Sequence, residues 1–307
     1  MTDHAFEQAL EMSHGADREA IIESMLTMPT LPPIRELGEK IPWPEPNCTT
    51  YCNGPGGRYY KALHGEFPEP LPGVTTVEKI IGTGTNALIA WSANVERAAC
   101  LEAAGDVFAE GKHDDGPAGF LAAVEARIGK AKQHQKLVTK AQDIGTAAHQ
   151  MIQWTLRKEL GLTVGPEPVL PEASQWAFMA WQDWWKGAGL KPVRCEQAVW
   201  DTALGYAGSI DFIGEAADGV LEVWDWKSSK GVYDTHHVQV AAYCHAARNW
   251  APVRAGGIVR IPKNVDDPAF EVKRLGEMYG GKTLTESQLM DAFRGALACW
   301  RVLMGSA

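Results

Sequence analysis

The chain has 307 residues, of which 45% are hydrophobic and 22% are charged, and its formal net charge is −9 at neutral pH. This composition is ordinary for a globular protein with a sizeable core, organised as one large domain or two small ones. No apolar run approaches the roughly 20 residues that a helix needs to cross a bilayer, so no membrane-spanning helix is expected.

Residues 1–47 form an acidic arm. They hold nine acidic and three basic side chains, a net charge of −6, which leaves −3 for the rest of the chain. The pattern over residues 6–28 predicts a short helix, and the prolines between residues 29 and 46 predict an extended segment after it. Residues 1–12 lack the basic and apolar pattern of a signal peptide.

Residues 48–160 are predicted to begin with a hairpin and to continue as helices. Two short strands flank Asn-Gly-Pro-Gly-Gly, which favours a turn over a phosphate-binding loop because no Walker lysine is present. Thr75-Thr76-Val77-Glu78 has the pattern of a capping box at the start of a short helix. Helix-starting and helix-ending residues predict further helices over residues 87–104, 114–131 and 145–160.

A cluster of basic residues precedes the last of these helices. DNA phosphates require such local basic surface even when the whole protein is acidic. A solvated helix face is the alternative interpretation. The cluster consists of Arg127, Lys130, Lys132, Lys136 and Lys140.

Two helices carry candidate functional side chains. His149 shares a helix face with Ile152 and Leu156, so it points inward, either as a hydrogen-bonded core residue or as a ligand. The next predicted helix, over residues 172–187, contains four tryptophans. Trp181 and Trp185 are four residues apart and are expected in the core, whereas an exposed member of the group is a candidate for stacking on a base.

The C-terminal half alternates predicted strands and helices. Strands are expected over residues 193–200, 207–213, 220–226, 258–261 and 270–275, and helices over residues 236–250 and 285–303. The chain after residue 47 is therefore expected to be one domain, 48–307. It has a helical part over 75–160, a sheet core over 193–275 and a closing helix over 285–303.

The central hairpin gathers charged side chains. Folding about residues 217–219 places Asp211 opposite Asp225 on the neighbouring strand, about 5 Å apart at Cβ. Lys227 is two residues beyond Asp225 and points to the same face. Two carboxylates in an apolar sheet repel each other. A Mg²⁺ or Mn²⁺ ion would remove that conflict, and a surface salt bridge between an aspartate and Lys227 is the alternative.

Three segments resemble the PD-(D/E)XK phosphodiesterase superfamily, and in particular its RecB-type exonuclease branch. Asp211 followed by Asp225-Trp226-Lys227 is similar to the superfamily core. Gly145-Thr146-Ala147-Ala148-His149 resembles the Gly-Thr-x-x-His helix of the branch, and Gln239-Val240-Ala241-Ala242-Tyr243 resembles its Gln-x-x-x-Tyr motif.

A fourth segment extends the resemblance toward the N-terminus. Residues 71–76 and 88–91 are similar to the opening of phage-encoded and mitochondrial genome-maintenance exonucleases. The resemblance covers about residues 58 to 300 and implies an α/β fold with a restriction-endonuclease-like core. That core is a central mixed β-sheet flanked by helices, here with an N-terminal helical and extended arm.

The resemblance also implies roles for individual residues. One or two Mg²⁺ or Mn²⁺ ions would be held by His149, Asp211, Asp225 and the backbone carbonyl of Trp226. Lys227 would act in catalysis with the two aspartates. The DNA strand would contact Gln239, Tyr243, Lys230 and Ser228. Glu196, on the strand over residues 193–200, corresponds to a glutamate that either contacts a metal ligand or binds at the edge of the site.

The function expected on this basis is metal-dependent DNA exonuclease activity in phage or bacterial recombination, replication or repair. A structure-specific endonuclease or flap nuclease with the same site is one alternative, and a non-catalytic DNA-end-binding module is another. Expected protein partners are a single-strand annealing or binding protein and a separate helicase.

The six cysteines bear on location and on cofactors. They lack CxxC spacing, which favours reduced thiols in a cytoplasm, that of the bacterial host if the gene is phage-encoded. Some RecB-type relatives carry an iron–sulfur cluster on a C-terminal group of cysteines. Only Cys299 lies in that region, so no iron–sulfur cluster is expected.

Overall fold

A computed structural model describes residues 42–45, 48–54, 56–82, 85–112, 116–262, 269–276, 278–279 and 282–304, together with Ala20 and Glu23. The helix predicted over residues 6–28 and most of the acidic arm lie outside the described residues. Within the described part of the chain, no helix is both long enough and apolar enough to cross a membrane.

The described strands are β1 (Thr49–Gly54), β2 (Gly57–Ala62), β3 (Leu71–Pro72), β4 (Lys191–Asp201), β5 (Tyr206–Glu215), β6 (Leu221–Lys227), β7 (Val253–Arg260), β8 (Glu271–Arg274), β9 (Met278–Tyr279) and β10 (Lys282–Thr283). The described α-helices are α1 (Val74–Val77), α2 (Thr85–Ala109), α3 (Gly116–Ile128), α4 (Gln133–Glu159), α5 (Glu172–Ala188), α6 (Asp234–Ala247) and α7 (Glu286–Met304). A 3₁₀ turn, Glu78–Ile81, follows α1.

Two compact units divide the chain. The first comprises Met1–Ile81 and Ala148–Ala307 and holds all the described strands. The second, Gly82–Ala147, contains α2, α3 and the first half of α4. Its small core includes Ala103, Val107 and Val124.

The central sheet of the first unit has the order β4-β5-β6-β7-β8. Only the β6–β7 pair is parallel, so the sheet is mixed as predicted. Ile152, Leu156 and Trp181, from α4 and α5, pack on one face of this sheet. Helices α6 and α7 belong to the apolar cluster that covers the other face. Because both faces are covered, the central strands β5 and β6 are mostly apolar, and the charged residues on them stand out.

A second, small sheet of order β1-β2-β3 joins the same unit. It contains the hairpin predicted around residues 48–62. Gly73, which follows β3, forms a parallel bridge with Ala207 at the start of β5. The small sheet is thereby attached to the strand that carries Asp211.

The basic cluster lies within the regular structure of the second unit. The long helix α4 starts at Gln133, so it includes Lys136 and Lys140, which the sequence pattern placed before a helix. Arg127 pairs with Asp106 at 3.1 Å and also with Glu110. Its guanidinium is thus already engaged by carboxylates. The lysines of the cluster are exposed.

Candidate active site

The opposed aspartates lie where β5 and β6 separate. The ladder between these strands ends with the pair Phe212–Trp224. Asp211 and Asp225 are the next residues in the same register, so they stand opposite each other as the hairpin pattern predicts. Beyond that pair, Asp211 Oδ2 accepts a hydrogen bond from the backbone N–H of Trp226 at 2.8 Å. Where the β5–β6 ladder ends, the Asp211 carboxylate therefore takes the place of a backbone carbonyl as the partner of the Trp226 N–H.

Asp225 and Lys227 lie on the same face of β6. Lys227 Nζ is 2.7 Å from Asp225 Oδ2, and the side chains are 19% and 2% exposed. The salt bridge considered as the alternative is present, but it is buried rather than at the surface. Because both charges lose water, a buried pair is weak evidence of a stabilising role.

Charge is unevenly balanced around this pair. Burial raises the pKa of Asp225 to about 6, with Lys227 opposing the rise and Asp211 adding to it. Burial also raises the pKa of Asp211, against the effects of Lys227 and of the Trp226 N–H. Although burial disfavours the charged ammonium, Asp225 and Asp211 raise the pKa of Lys227. The Lys227 ammonium is thus the counter-charge of both buried carboxylates.

Glu196 adds a third carboxyl group to the site. It lies on β4 opposite Asp211, between two neighbouring pairs of the β4–β5 ladder. Burial and then repulsion by Asp211 raise its pKa to about 8, although the Ser209 hydroxyl lies 3.2 Å from Oε2 as a hydrogen-bond donor. Its φ of 53° is in the left-handed region. Backbone strain of this kind in a non-glycine residue concentrates at functional sites.

Glu78 is a fourth carboxyl group, which the sequence interpretation missed. The capping-box prediction is wrong, because the N-cap of α1 is Gly73, without a side-chain hydrogen bond, and Thr75 lies inside the helix. Burial raises the pKa of Glu78 to about 7, an effect opposed by Lys227 and increased by Asp225. Its Oε2 atom is buried without a hydrogen-bond partner.

His149 and two residues of α6 lie close to the aspartates. The charge of His149 lowers the pKa of Asp225, which places the imidazole near that carboxylate. Gln239 Nε2 donates to Tyr243 Oη at 2.8 Å, and both side chains are buried. Burial first, and then nearby groups that include Asp225 and Asp211, raise the pKa of Tyr243.

The remaining predicted residues follow directly in the chain. A residue's N–H and C=O point to the same side of a strand, so the Trp226 carbonyl faces β5 along with the N–H that reaches Asp211. Ser228 is partly exposed and Lys230 is exposed, both on the loop after β6. Among the contacts of the described residues, neither joins the carboxylate cluster.

A divalent cation fits the charge of this site. In the described residues, no group of three or more His, Cys, Asp or Glu side chains is already arranged to hold a metal ion. The fit comes from four buried or half-buried carboxyl groups, three of them beside Lys227, and from the unpartnered oxygen of Glu78. Carboxylate oxygens are the ligands that Mg²⁺ and Mn²⁺ prefer.

Comparison with known proteins assigns the chain to a family. No curated protein matches it significantly. The sequence profile of the PD-(D/E)XK nuclease superfamily matches residues 114–298, which is more than half of the chain. The matched range contains β4 to β8, and the mixed sheet with helices on both faces is consistent with the restriction-endonuclease-like core. The chain belongs to the PD-(D/E)XK nuclease superfamily.

Proposed function

We propose that the protein is a Mg²⁺- or Mn²⁺-dependent DNA exonuclease. The observation that carries this proposal is the meeting of Asp211, Asp225 and Lys227 in the gap between β5 and β6. Phosphodiester hydrolysis develops negative charge on the phosphate oxygens and on the leaving 3′ oxygen. A site that holds a cation beside a buried ammonium counters that charge where it develops.

The carboxylates and their neighbours would hold the ion. We assign this role to Asp211, Asp225, His149 and the backbone carbonyl oxygen of Trp226. When bound, a divalent ion supplies compensation for the developing charge and lowers the pKa of an attacking water. Asp211 is already oriented by the Trp226 N–H at 2.8 Å, which limits the reorganisation that binding requires.

Lys227 would act on the water and the phosphate. One N–H direction of its ammonium is taken by Asp225 at 2.7 Å. An ammonium has three donors, so two remain for the attacking water and a phosphate oxygen. Because Asp225 is almost fully buried, the ammonium is held in place before substrate arrives.

Substrate contacts are assigned to α6 and to the loop after β6. Gln239 and Tyr243 bond to each other, and Gln239 Oε1 is buried without a partner, which leaves this pair able to change partners when a strand binds. Lys230 and Ser228 would contact the next phosphate. Both lie within three residues of Lys227 in the chain.

We place the activity in phage or bacterial recombination, replication or repair, in the cytoplasm, with a single-strand annealing or binding protein or a helicase as partner. The support is the RecB-type pattern of His149, Gln239 and Tyr243. All six cysteines are free thiols, which agrees with a reducing compartment.

The test uses end-labelled single-stranded, duplex and circular DNA with Mg²⁺, Mn²⁺ or chelator. An exonuclease should degrade the linear DNA only with metal and leave the circles intact. Cleavage of circular single strands would establish an endonuclease instead. Full activity in chelator would contradict the metal mechanism. Asp225→Asn should bind DNA without cutting it, and a variant that cuts at the wild-type rate would place the site elsewhere.

A further inference from the structure

The hairpin formed by β1 and β2 presents an aromatic and basic face. Tyr51 is paired with Tyr60, and Asn53 with Arg58. Opposed residues, and residues two apart, lie on the same face of a hairpin. The Arg58 guanidinium lies 4.5 Å from the centroid of the Tyr51 ring. The rings of Tyr51 and Tyr60 are 5.0 Å apart, edge to face.

Exposure changes along this face. Tyr60 is 5% exposed, whereas Tyr51 is 54% exposed. Arg58 is exposed as well, and within the described part of the chain it forms no ion pair with a carboxylate. A second cation lies at the hairpin turn, where the exposed Lys79 has its Nζ atom 3.5 Å from the carbonyl oxygen of Gly56. The outer end of the face therefore offers an aromatic ring beside cations.

The backbone ties this face to the strand that carries Asp211. Gly73 donates its N–H to the Arg58 carbonyl oxygen at 3.0 Å and forms a bridge with Ala207 on β5. A Cβ atom at Gly73 would lie 3.2 Å from both the Arg58 carbonyl oxygen and the Tyr60 ring. The close approach at Gly73 thus holds the hairpin against the start of β5, four residues before Asp211.

The buried end of the face lies in the apolar core. Tyr60 belongs to the same buried cluster as Tyr243 on α6. Both side chains are buried, at 5% and 3% exposed. The buried end of the hairpin face thus packs in the same core as α6, which carries Tyr243.

We propose that the β1–β2 face binds the single-stranded end of the DNA, with Tyr51 stacking on a base and Arg58 contacting a phosphate. This inference rests on the proposed nuclease function. Unpaired bases expose both ring faces for stacking on aromatic side chains, and guanidinium groups neutralise the backbone between them. The face would thus select a strand that has separated from its complement before it enters the site.

The experiment measures binding without cleavage. Fluorescence anisotropy in chelator compares the full chain and its variants on a labelled single strand, on a blunt duplex of the same sequence and on an abasic strand of the same length. We expect Tyr51→Ala to bind the single strand about tenfold more weakly, in the range of one lost stacking contact. Its affinity for the abasic strand and the duplex should change little. Tyr51→Trp should keep wild-type affinity.

Arg58→Ala tests the phosphate contact separately. It should weaken binding to the abasic strand as well as to the normal one. Its salt slope should fall by about 0.7, the value for one phosphate on a single strand. Tyr51→Ala should leave that slope unchanged. Leu63→Ala, 50% exposed just after β2, is the matched control and should bind normally.

Two results would overturn the inference. One is wild-type affinity of a folded Tyr51→Ala for the single strand. The other is an equal loss on normal and abasic strands, which would show that stacking is not involved. Melting curves, with Tyr51→Phe as the conservative variant, establish that the hairpin is intact. Wild-type cleavage of the same strand with Mg²⁺ is assayed in parallel, so a failure of the nuclease function is distinguished from a failure of the hairpin assignment.

Discussion

Replacing Asp225 by asparagine should stabilise the metal-free protein while abolishing cleavage. Asp225 is 2% exposed, and its pKa is raised to about 6 by burial. Against an unfolded value near 3.9, this shift disfavours the folded, ionised state by roughly 3 kcal/mol above pH 7, at 1.36 kcal/mol for each pKa unit. Asparagine keeps the shape and an oxygen that can accept from Lys227, but it removes the charge.

The expected gain is about 1–3 kcal/mol, because part of the favourable contact with Lys227 is lost together with the charge. In a chain of this size each kcal/mol corresponds to about 2–4 °C in melting temperature. The sign depends on pH. A raised pKa means that the folded protein binds the proton more tightly than the unfolded chain does, so the wild type loses stability as pH rises through about 6. The advantage of the variant should therefore be large at pH 7.5 and shrink toward roughly pH 4.

In Mg²⁺ the wild type should become more stable than Asp225→Asn. Melting curves are measured in chelator and in saturating Mg²⁺. An ion at about 1,000 times its dissociation constant stabilises the wild type by about 4.1 kcal/mol, and Asp225→Asn should gain much less. The reasoning is refuted if the variant melts clearly below the wild type in chelator at pH 7.5, or if Mg²⁺ raises both melting temperatures equally.

Three further substitutions separate the roles in the site. Lys227→Met should lower the single-turnover cleavage rate about 100-fold or more, as for loss of one transition-state donor, and Lys227→Arg should not restore it; near-wild-type cleavage would reduce Lys227 to an ion-pair partner. His149→Ala should weaken Mg²⁺ binding in calorimetry with little change in melting temperature, and the opposite result would identify a core histidine. Glu78→Gln should reduce Mg²⁺-dependent cleavage about tenfold or more, whereas the exposed control Glu69→Gln should not; equal effects would remove Glu78 from the site.

The hairpin was predictable because its pattern is local. Apolar residues flank Ala-Asp-Gly, so the turn fixes the register, and the register alone brings Asp211 opposite Asp225. The position of Lys227 beside Asp225 follows from the period of a strand. His149 and Gln239 could be assigned to the site only through motif spacing, since nothing local to α4 or α6 indicates which strand each one faces.

Glu78 shows what local patterns miss. Thr75 and Glu78 have the Thr-x-x-Glu spacing of a capping box, but here the N-cap of α1 is Gly73 and Thr75 lies inside the helix. Glu78 instead starts the following 3₁₀ turn, and its carboxyl group lies near Lys227 and Asp225. The ion pairs of Arg127 with Asp106 and Glu110 could not be predicted from local sequence either, because they depend on how α2 and α3 pack.

The arrangement of charge favours a catalytic site over a structural one. A structural ion pair in a core would be expected to balance its charges, as Glu222 does here through contacts with Arg254 and Arg274 on neighbouring strands. Asp211, Asp225 and Glu78 all lie beside the single ammonium of Lys227, Glu196 lies beside Asp211, and burial raises the pKa of all four carboxyl groups. The carboxyl groups around Lys227 therefore outnumber its one positive charge. That excess opposes folding. The excess of negative charge persists in a sheet that otherwise buries mainly apolar side chains. A bound cation would offset this excess. The metal dependence of stability therefore tests the function as directly as cleavage does.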